Sequence, residues 1–226
     1  MQIWTHRGNP GVENTLGAFS QAWKDGIRFL ETDIHCTIDG VLVLAHDDDI
    51  HRLTGVRKKI SEITWRELSS YKIGGQTPWA TLDQLCESLP DAFISIDIKD
   101  SSALVPFLHW LHGKKLQNFV VGSFSPARIK IVRKEFPQLT TALTTHEILA
   151  ISMGLGALVK LRGGKRMAMV PEVFKGIRIL NKNLASFCAS HQIPLIIWTV
   201  NELTELQRIQ KFNITGIVTD RYQEFI

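Results

Sequence analysis

Histidines and carboxylates stand at the ends of the predicted strands in the first hundred residues. His6 ends the first apolar run and precedes Arg7, and Glu31 and Asp33 end the second run. Because side chains alternate along a strand, a spacing of two puts both carboxylates on one face. Two like charges so close are unfavourable unless a cation or a proton neutralises them. The pair therefore predicts a site for Mg²⁺ or Ca²⁺, which prefer oxygen ligands.

A predicted β-hairpin brings a second histidine to these carboxylates. Asp39-Gly40 between alternating residues is typical of a two-residue hairpin loop. In that register His46 faces Asp33, and the Cβ atoms of facing residues are about 5 Å apart. We therefore expect His46 beside Asp33, provided that no bulge shifts the register.

The predicted strand Ala92–Ile98 adds Asp97, and Lys99 follows two residues later on the same face. Three carboxylates around one divalent cation, with cationic side chains nearby, suit an anionic phosphoryl centre. Of two histidines, one would deprotonate the nucleophile and the other would protonate the leaving alkoxide. A lone Glu-x-Asp is more often structural, but charged groups on three strand ends together favour metal-assisted catalysis. We assign the remaining histidines to structural roles: His35, His51, His109, His112, His146 and His191.

Strand-type and helix-type segments alternate along the whole chain, which predicts parallel βαβ units. The predicted strands are Gln2–Thr5, Arg28–Thr37, Val41–Ala45, Ala92–Ile98, Phe119–Phe124, Thr140–Thr144, Arg166–Val170, Pro194–Val200 and Gly216–Thr219. With the hairpin set aside, eight core strands remain. We predict an α/β (β/α)8 TIM barrel with a small β-hairpin insertion after the second strand, as a single domain over residues 1–226. Active sites of such barrels lie at the C-terminal ends of the strands, where the candidate residues stand.

Helix starts and one apolar stretch complete the local predictions. Ser125 and Asn201 are predicted N-caps for the helices Pro126–Glu135 and Asn201–Lys211. The most apolar stretch, Ile148–Leu161, is predicted to be a buried or partly buried helix and loop.

Composition limits the partners and the compartment. The 226 residues are 44% hydrophobic and 21% charged, with a net charge of +4, as in an ordinary globular protein. Lysines and arginines occur along the whole chain, and the densest cluster, residues 162–166, is predicted to be a solvated loop, so we expect no nucleic-acid partner. Three cysteines without a CxxC pair favour a reducing compartment. No signal peptide or long apolar run is evident, so we expect a cytoplasmic protein without stable membrane insertion; the sequence leaves the oligomeric state open.

Ordered motifs along the chain resemble those of the glycerophosphodiester phosphodiesterases. They are His6-Arg7-Gly8, Glu13-Asn14-Thr15 with Ala18-Phe19, Glu31-Thr32-Asp33-Ile34, Asp39-Gly40, His46-Asp47, Arg52-Leu53-Thr54-Gly55, Pro78 to Leu85, Asp97-Ile98-Lys99, Trp198-Thr199-Val200-Asn201 and Gly216-Ile217-Val218-Thr219-Asp220. The match is densest over the first 55 residues.

The resemblance implies hydrolysis of a small-molecule glycerophosphodiester to glycerol 3-phosphate and an alcohol. It also implies His6 and His46 as general acid and base, one divalent cation, Mg²⁺ or Ca²⁺, held by Glu31, Asp33 and Asp97, and substrate contacts from Arg7, Lys99 and Trp198. The family usually has Glu where this chain has Asp97, whose side chain is one methylene shorter. We therefore expect this position to alter metal affinity or preference rather than the reaction.

Three alternatives remain open from the sequence. One is a lysophospholipase D-like activity on single-chain lipids, which would need an apolar groove near the barrel mouth. The others are a metal-independent mechanism and a catalytically silent binder of phosphate ligands. Retention of both histidines and all three carboxylates argues against the silent binder.

Overall fold

Eight parallel strands close into a barrel, and this confirms the predicted (β/α)8 fold. The computed structural model describes residues 1–161 and 163–226. The strands of the described chain are β1 (Gln2–His6), β2 (Phe29–Cys36), β3 (Leu42–Leu44), β4 (Phe93–Ile98), β5 (Phe119–Gly122), β6 (Thr140–Ala142), β7 (Arg166–Pro171), β8 (Val173–Phe174), β9 (Ile177–Arg178), β10 (Leu195–Trp198) and β11 (Gly216–Thr219). The barrel order is β1-β2-β4-β5-β6-β7-β10-β11, and β1 pairs in parallel with both β2 and β11.

Helices follow most of the barrel strands. The α-helices are α1 (Leu16–Lys24), α2 (His51–Thr54), α3 (Trp65–Ser70), α4 (Leu82–Ser88), α5 (Leu104–Leu111), α6 (Pro126–Glu135), α7 (Thr145–Ser152), α8 (Lys182–Ser190) and α9 (Leu203–Ile209). Short 3₁₀ helices cover Ile60–Glu62, Leu116–Asn118, Gly156–Leu158, Gln210–Phe212 and Tyr222–Glu224. Within the described parts of the chain, no helix has both the length and the apolar character needed to cross a membrane.

One predicted helix cap is confirmed in position and the other is wrong by one residue. Ser125 is the N-cap of α6, with Pro126 as the first helical residue, although its side chain makes no capping hydrogen bond. Helix α9 begins after Glu202, and the Glu205 carboxylate accepts hydrogen bonds from the backbone N–H groups of Asn201 and Glu202 at 3.0 and 3.2 Å. Because Glu205 satisfies these donors, the Asn201 side chain does not cap the helix and instead donates a hydrogen bond to Asp220 at the barrel mouth.

Apolar side chains fill the barrel interior and the space between barrel and helices. The interior cluster consists of Trp4, Val120, Met167, Ile196 and Val218, all at most 5% exposed. The ring of Trp4 packs against Phe29 and Phe93, with centroids 5.0 and 5.6 Å apart. This packed interior closes the barrel beneath its C-terminal mouth.

The insertion after β2 is larger than the predicted hairpin. Residues 41–80 include β3, α2 and α3 and form a hydrophobic cluster of their own. Its buried members are Val43, Ala45, Ile50, Ile60, Ile63, Leu68, Ile73 and Trp79. The loop that carries His46 is thus supported by a packed unit.

The predicted hairpin register is wrong by one residue. Strands β2 and β3 pair Ile34 with Leu44 and Cys36 with Leu42, so Asp33 is opposite Ala45, whose N–H donates to the Asp33 carbonyl. The reason is a three-residue loop: Gly40 N–H donates to the Thr37 carbonyl, and Gly40 has a φ of +85°, which favours glycine. His46 therefore follows the strand pair rather than belonging to it.

Two features of the second half differ from the sequence prediction. A short hairpin, β8 with β9, follows β7 and was not predicted. The predicted solvated loop at residues 162–166 is wrong at Arg166, which begins β7 and is buried; Arg162 lies outside the described residues. The predicted helix and loop at Ile148–Leu161 corresponds to most of α7 and the segment after it, and it is only partly buried, since Met153, Leu155 and Leu158 are exposed.

Candidate active site

A cavity at the C-terminal mouth of the barrel, of about 210 Å³, is lined by all eight predicted site residues. These are His6, Arg7, Glu31, Asp33, His46, Asp97, Lys99 and Trp198. They come from β1, β2, β4, β10 and the loop after β3. The fold thus gathers side chains that are up to 192 positions apart in the sequence.

Strand register explains the proximity of the carboxylates. In the parallel pairs, His6 is level with Glu31 on β2, and Asp33 is level with Asp97 on β4. Glu31 and Asp33 point to the same face, as their spacing predicts. They lie within β2 rather than at its end, because β2 continues beyond them to pair with β3.

Cationic side chains lie among these carboxylates. Lys99 Nζ is 2.7 Å from Asp33 Oδ1 and 2.7 Å from Asp97 Oδ2. Arg7 Nε is 3.0 Å from the other Asp33 oxygen, at an angle that makes an ion pair but no hydrogen bond. Although burial acts against it, the charges of Asp97 and Asp33 raise the pKa of Lys99, so its ammonium is charged in the site. Asp33, only 1% exposed, is therefore well compensated.

Glu31 is less well compensated than Asp33. Its Oε2 accepts a hydrogen bond of 3.2 Å from the backbone N–H of Arg7. Burial and the neighbouring charge of Asp33 raise the pKa of Glu31 well above its ordinary value, despite opposing effects of Lys99 and Arg7. A further cation beside this carboxylate would lower the cost of keeping it ionised.

The donor set fits a divalent cation in chemistry and charge. Glu31, Asp33 and Asp97 offer six carboxylate oxygens, the donors that Mg²⁺ and Ca²⁺ prefer. Among the described residues, no group of three or more His, Cys, Asp or Glu side chains is arranged to hold an ion. Cation binding by these three carboxylates therefore requires the Lys99 ammonium to leave at least one of them.

His6 is oriented by a carboxylate from the other end of the chain. Its Nδ1 is 2.7 Å from Asp220 Oδ1. The amides of Asn9 and Asn201 donate to the two Asp220 oxygens at 2.8 and 2.9 Å. Although partial burial acts to raise it, hydrogen bonds from His6, Asn201 and Asn9 hold the pKa of Asp220 well below its ordinary value. An ionised Asp220 fixes the His6 ring and leaves Nε2 for exchange of a proton.

His46 is oriented in the same way by its neighbour. Its Nδ1 is 2.7 Å from Asp47 Oδ1, and Arg52 Nε donates to the other Asp47 oxygen at 2.6 Å. Arg52 also donates to Glu13, which lies 3.8 Å from Arg7. A continuous chain of charges thus connects His46 to the carboxylate cluster.

A buried histidine supports the backbone of His46. His35, 3% exposed, has Nδ1 in a short hydrogen bond with Asp100 and Nε2 3.2 Å from the carbonyl oxygen of His46. A structural role for His35 is predicted from the sequence, but its charged partner is not. The partners of the two candidate catalytic histidines are not predicted either.

The opposite wall of the cavity is apolar. Its side chains come from the loop after β5, from α7, from β7 and from the hairpin β8–β9. They are Phe124, Leu143, Ile148, Leu149, Met169, Pro171, Phe174 and Ile179. Trp198 also lines the cavity, and its ring meets that of Phe124 edge-on with centroids 6.2 Å apart. The cavity therefore offers a charged half for an anion and an apolar half for a second group.

Known proteins similar to this chain are named phosphodiesterases or a lysophospholipase D. The model of the glycerophosphoryl diester phosphodiesterase family matches residues 6–102, which include seven of the eight predicted site residues. "Probable glycerophosphodiester phosphodiesterase 2" of Mycobacterium tuberculosis is 29% identical, over 96% of this chain and 86% of its own length. "Lysophospholipase D GDPD1" of Homo sapiens is 27% identical, over 96% of this chain and 82% of its own length.

A solved structure extends the similarity to three dimensions. The crystal structure of a glycerophosphodiester phosphodiesterase from Thermotoga maritima superposes with a TM-score of 0.76 at 26% identity. It covers 99% of this chain and 96% of its own. Motifs, relatives and barrel thus agree in their similarity to the glycerophosphoryl diester phosphodiesterase family.

Proposed function

We propose that this chain hydrolyses glycerophosphodiesters to glycerol 3-phosphate and an alcohol. It is an enzyme of the phosphodiesterase class, as its family and its named relatives are. The observation that carries the proposal is the pair of carboxylate-bound histidines, His6 with Asp220 and His46 with Asp47, in one cavity with Arg7 and Lys99. Two oriented imidazoles suit a reaction that needs both a base and an acid.

The two histidines would move the protons. In each ring Nδ1 is held by a carboxylate, so Nε2 is the nitrogen that exchanges a proton with substrate. One ring takes the proton of the nucleophile, and the other gives a proton to the oxygen of the departing alcohol. The charges of Asp220 and Asp47 stabilise whichever ring is positive at that moment.

The cationic side chains would hold the phosphate. Arg7 and Lys99 can donate hydrogen bonds to its unbridged oxygens and offset the charge that grows there in the transition state. Enzymes of this family generally use a divalent metal. A cation held by Glu31, Asp33 and Asp97 would act as a Lewis acid on the phosphoryl oxygen.

A coupled assay for glycerol 3-phosphate tests the proposal. Release of this product from glycerophosphocholine or glycerophosphoethanolamine, lost on chelation and restored by Mg²⁺ or Ca²⁺, is the expected result. Binding of a glycerophosphodiester without any turnover would instead support the catalytically silent binder. Full activity after exhaustive chelation would contradict the metal-ligand roles of Glu31, Asp33 and Asp97.

The apolar cavity wall favours a second candidate substrate. Leu149, Met169 and Phe174 would lie against an acyl chain if a single-chain lysophospholipid placed its phosphate at Lys99. A relative of comparable identity is named a lysophospholipase D. We expect polar substitution of the wall to lower turnover of lysophospholipids more than turnover of glycerophosphocholine.

A matched pair of variants separates the two candidates. Leu149→Ser introduces a hydroxyl into the cavity wall, whereas Leu203→Ser makes the same change at a side chain 51% exposed on α9. The ratio of lysophosphatidylcholine to glycerophosphocholine turnover should fall about tenfold in the first variant only, because a buried polar group disfavours an acyl chain. An equal ratio in both variants would contradict the proposal that a lysophospholipid is a substrate.

A further inference from the structure

The surface beside the cavity mouth is basic. Residues 148–153 and 171–182, which we name the mouth segment, contain three basic residues, Lys175, Arg178 and Lys182, and all three are exposed. The single acidic residue of the segment, Glu172, is paired with Arg208. The local charge is therefore positive.

Exposed apolar side chains lie among these charges. Met153 is 70% exposed, Val173 is 50% exposed and Ile177 is 51% exposed. Lys175 and Arg178, in and beside the hairpin loop, are exposed as well. Apolar and cationic side chains interspersed on one surface are typical of proteins that rest on anionic lipid.

Hydrogen bonds connect the end of α7 with the residues that follow the hairpin β8–β9. Ser152, at the end of α7, donates from Oγ to the carbonyl of Ile179 at 3.0 Å. The amides of Asn181 and Asn183 donate to the Ser152 carbonyl at 3.0 and 3.1 Å. Met153 therefore lies beside the base of the hairpin that carries Val173 and Ile177, and the exposed apolar side chains belong to one region.

The region continues into the cavity. Phe174 and Ile179 of the hairpin, and Ile148 and Leu149 of α7, line the apolar cavity wall. The Lys175 ammonium lies 5.6 Å from the Phe174 ring centroid, so a cation stands next to a cavity-lining side chain. Apolar surface thus runs from the exposed edge of the mouth segment to the charged half of the cavity.

We propose that the mouth segment docks the enzyme onto an anionic lipid surface, with the cavity mouth facing the lipid. Val173, Ile177 and Met153 would enter the headgroup region, while Lys175 and Arg178 would bind lipid phosphates. This is adsorption to the surface of a bilayer and needs no membrane-crossing helix. A substrate that leaves the bilayer then meets apolar surface along its whole route to the histidines.

Vesicle sedimentation tests the docking. The probe is a set of vesicles of phosphatidylcholine with about one third phosphatidylglycerol, compared with vesicles of phosphatidylcholine alone. Wild-type protein should bind the anionic vesicles at least ~10-fold more tightly, and the difference should shrink with added salt, because each basic residue near an anionic surface contributes about fivefold to binding. Equal binding to both vesicle types at low salt would overturn the proposal.

Two triple variants of equal charge provide the control. In the mouth variant, Lys175→Asn, Ile177→Ser and Arg178→Gln remove two cations and an apolar side chain, and asparagine suits the φ of 49° at position 175. The flank variant, Lys130→Gln, Ile131→Ser and Lys134→Gln, makes the same kind of change on exposed positions of α6. Anionic-vesicle binding should fall at least ~10-fold in the mouth variant only. An equal loss in both variants would mean unspecific attraction and would overturn the proposal.

Activity measurements keep this proposal separate from the enzymatic one. Hydrolysis of the water-soluble glycerophosphocholine should be the same in both variants and in wild type, since the substituted side chains lie outside the catalytic cavity. Sedimentation needs no turnover, so failure of the proposed reaction would leave the docking result intact. Circular dichroism on heating confirms that both variants fold.

Discussion

At the scale of single residues, the two candidate catalytic histidines share one arrangement but differ in what holds their carboxylates. Neutral amides of Asn9 and Asn201 donate to Asp220, whereas the charged Arg52 donates to Asp47. In both cases the carboxylate orients Nδ1 and is not among the residues that line the cavity. The carboxylates are therefore positioning groups, and the imidazoles are the groups that meet substrate.

Removal of either imidazole should stop proton transfer. We expect His6→Ala and His46→Ala each to lower kcat by about 10²-fold or more, because a general acid or base contributes about that much. KM should change less, and the denaturation midpoint should stay close to wild type. Steady-state kinetics with glycerophosphocholine measures this effect. Near-normal kcat in one variant would exclude that histidine from the mechanism.

The pair formed by buried His35 and half-buried Asp100 should make stability depend on pH. Although burial acts to raise it, hydrogen bonds from His35 and Ser102 lower the pKa of Asp100 well below its ordinary value. The unfolded chain therefore takes up a proton at this group at higher pH than the folded chain does. The stabilisation is complete above the unfolded pKa of about 3.9 and is lost as the pH falls toward the lower folded pKa.

Asp100→Asn should flatten this dependence. Between about pH 5 and pH 3, the free energy of unfolding of wild type should fall more steeply than that of the variant, because the variant has no proton to gain at position 100. Urea denaturation at a series of pH values measures both slopes. A variant as steep as wild type would show that Asp100 does not contribute.

Sequence reasoning found the residues whose own type and position indicate chemistry. His6, Glu31, Asp33 and Asp97 are polar groups on or at the ends of apolar runs, and that is a local signal. Asp220 has an equivalent position after β11, but its pairing with His6 depends on barrel closure, which no local pattern encodes. His35 was judged by strand position alone, and its partner Asp100 is 65 residues away.

At the scale of elements, the alternation of strands and helices predicts the barrel correctly. The predicted register of the β2–β3 hairpin is wrong because it depends on the length of the hairpin loop. Asp39-Gly40 is compatible with loops of two or three residues, since both place glycine at a left-handed φ. The longer loop is selected by the packing of β3 against the rest of the insertion and by the hydrogen bonds of Thr37. The hairpin β8–β9 escaped prediction because its strands are only two residues long.

The seam between the first and last strands has little room. An added Cβ at Gly216 would lie 2.4 Å from the backbone carbonyl oxygen of Gln2. Gly216→Ala should therefore lower the free energy of unfolding by about 1–3 kcal/mol, as overpacking does. Gly17→Ala is the matched control: nothing lies within 4 Å, and in helix α1 alanine should stabilise by about 0.5–1 kcal/mol. Urea denaturation distinguishes the two signs, and a neutral Gly216→Ala would mean that the seam can widen.

At the scale of the whole molecule, we propose that residues 1–226 form one domain, because the barrel needs its first and last strands to close.

The stability of the folded chain should also respond to a divalent cation bound by the carboxylates at the cavity mouth. A cation that binds only the folded chain stabilises it by about 2.7 kcal/mol at a hundred times its Kd. For a chain of this size, that corresponds to a Tm increase of about 5–11 °C.

Thermal melting with and without Ca²⁺ or Mg²⁺ measures this linkage without any assay of turnover. Wild type should melt higher with the ion, and Glu31→Gln should lose this increase. The same variant should melt at least as high as wild type without the ion, because it removes a buried charge beside Asp33. Asp97→Glu should show an increase equal to or larger than that of wild type. A smaller increase would mean that the local backbone is built around the shorter side chain.

The hydrogen bond between His6 and Asp220 spans 214 positions of the chain. Such a contact is among the most non-local that a chain of this length can make. Contacts of this kind form late, because the entropy cost of closing the long loop between the two residues must be met before the contact stabilises the fold. During synthesis, a chain that still lacks β11 already contains the three candidate metal ligands and Lys99, but it does not yet contain Asp220, the carboxylate partner of His6. Recovery of catalytic activity during refolding should therefore coincide with the final pairing of β1 and β11, later than the recovery of helical signal.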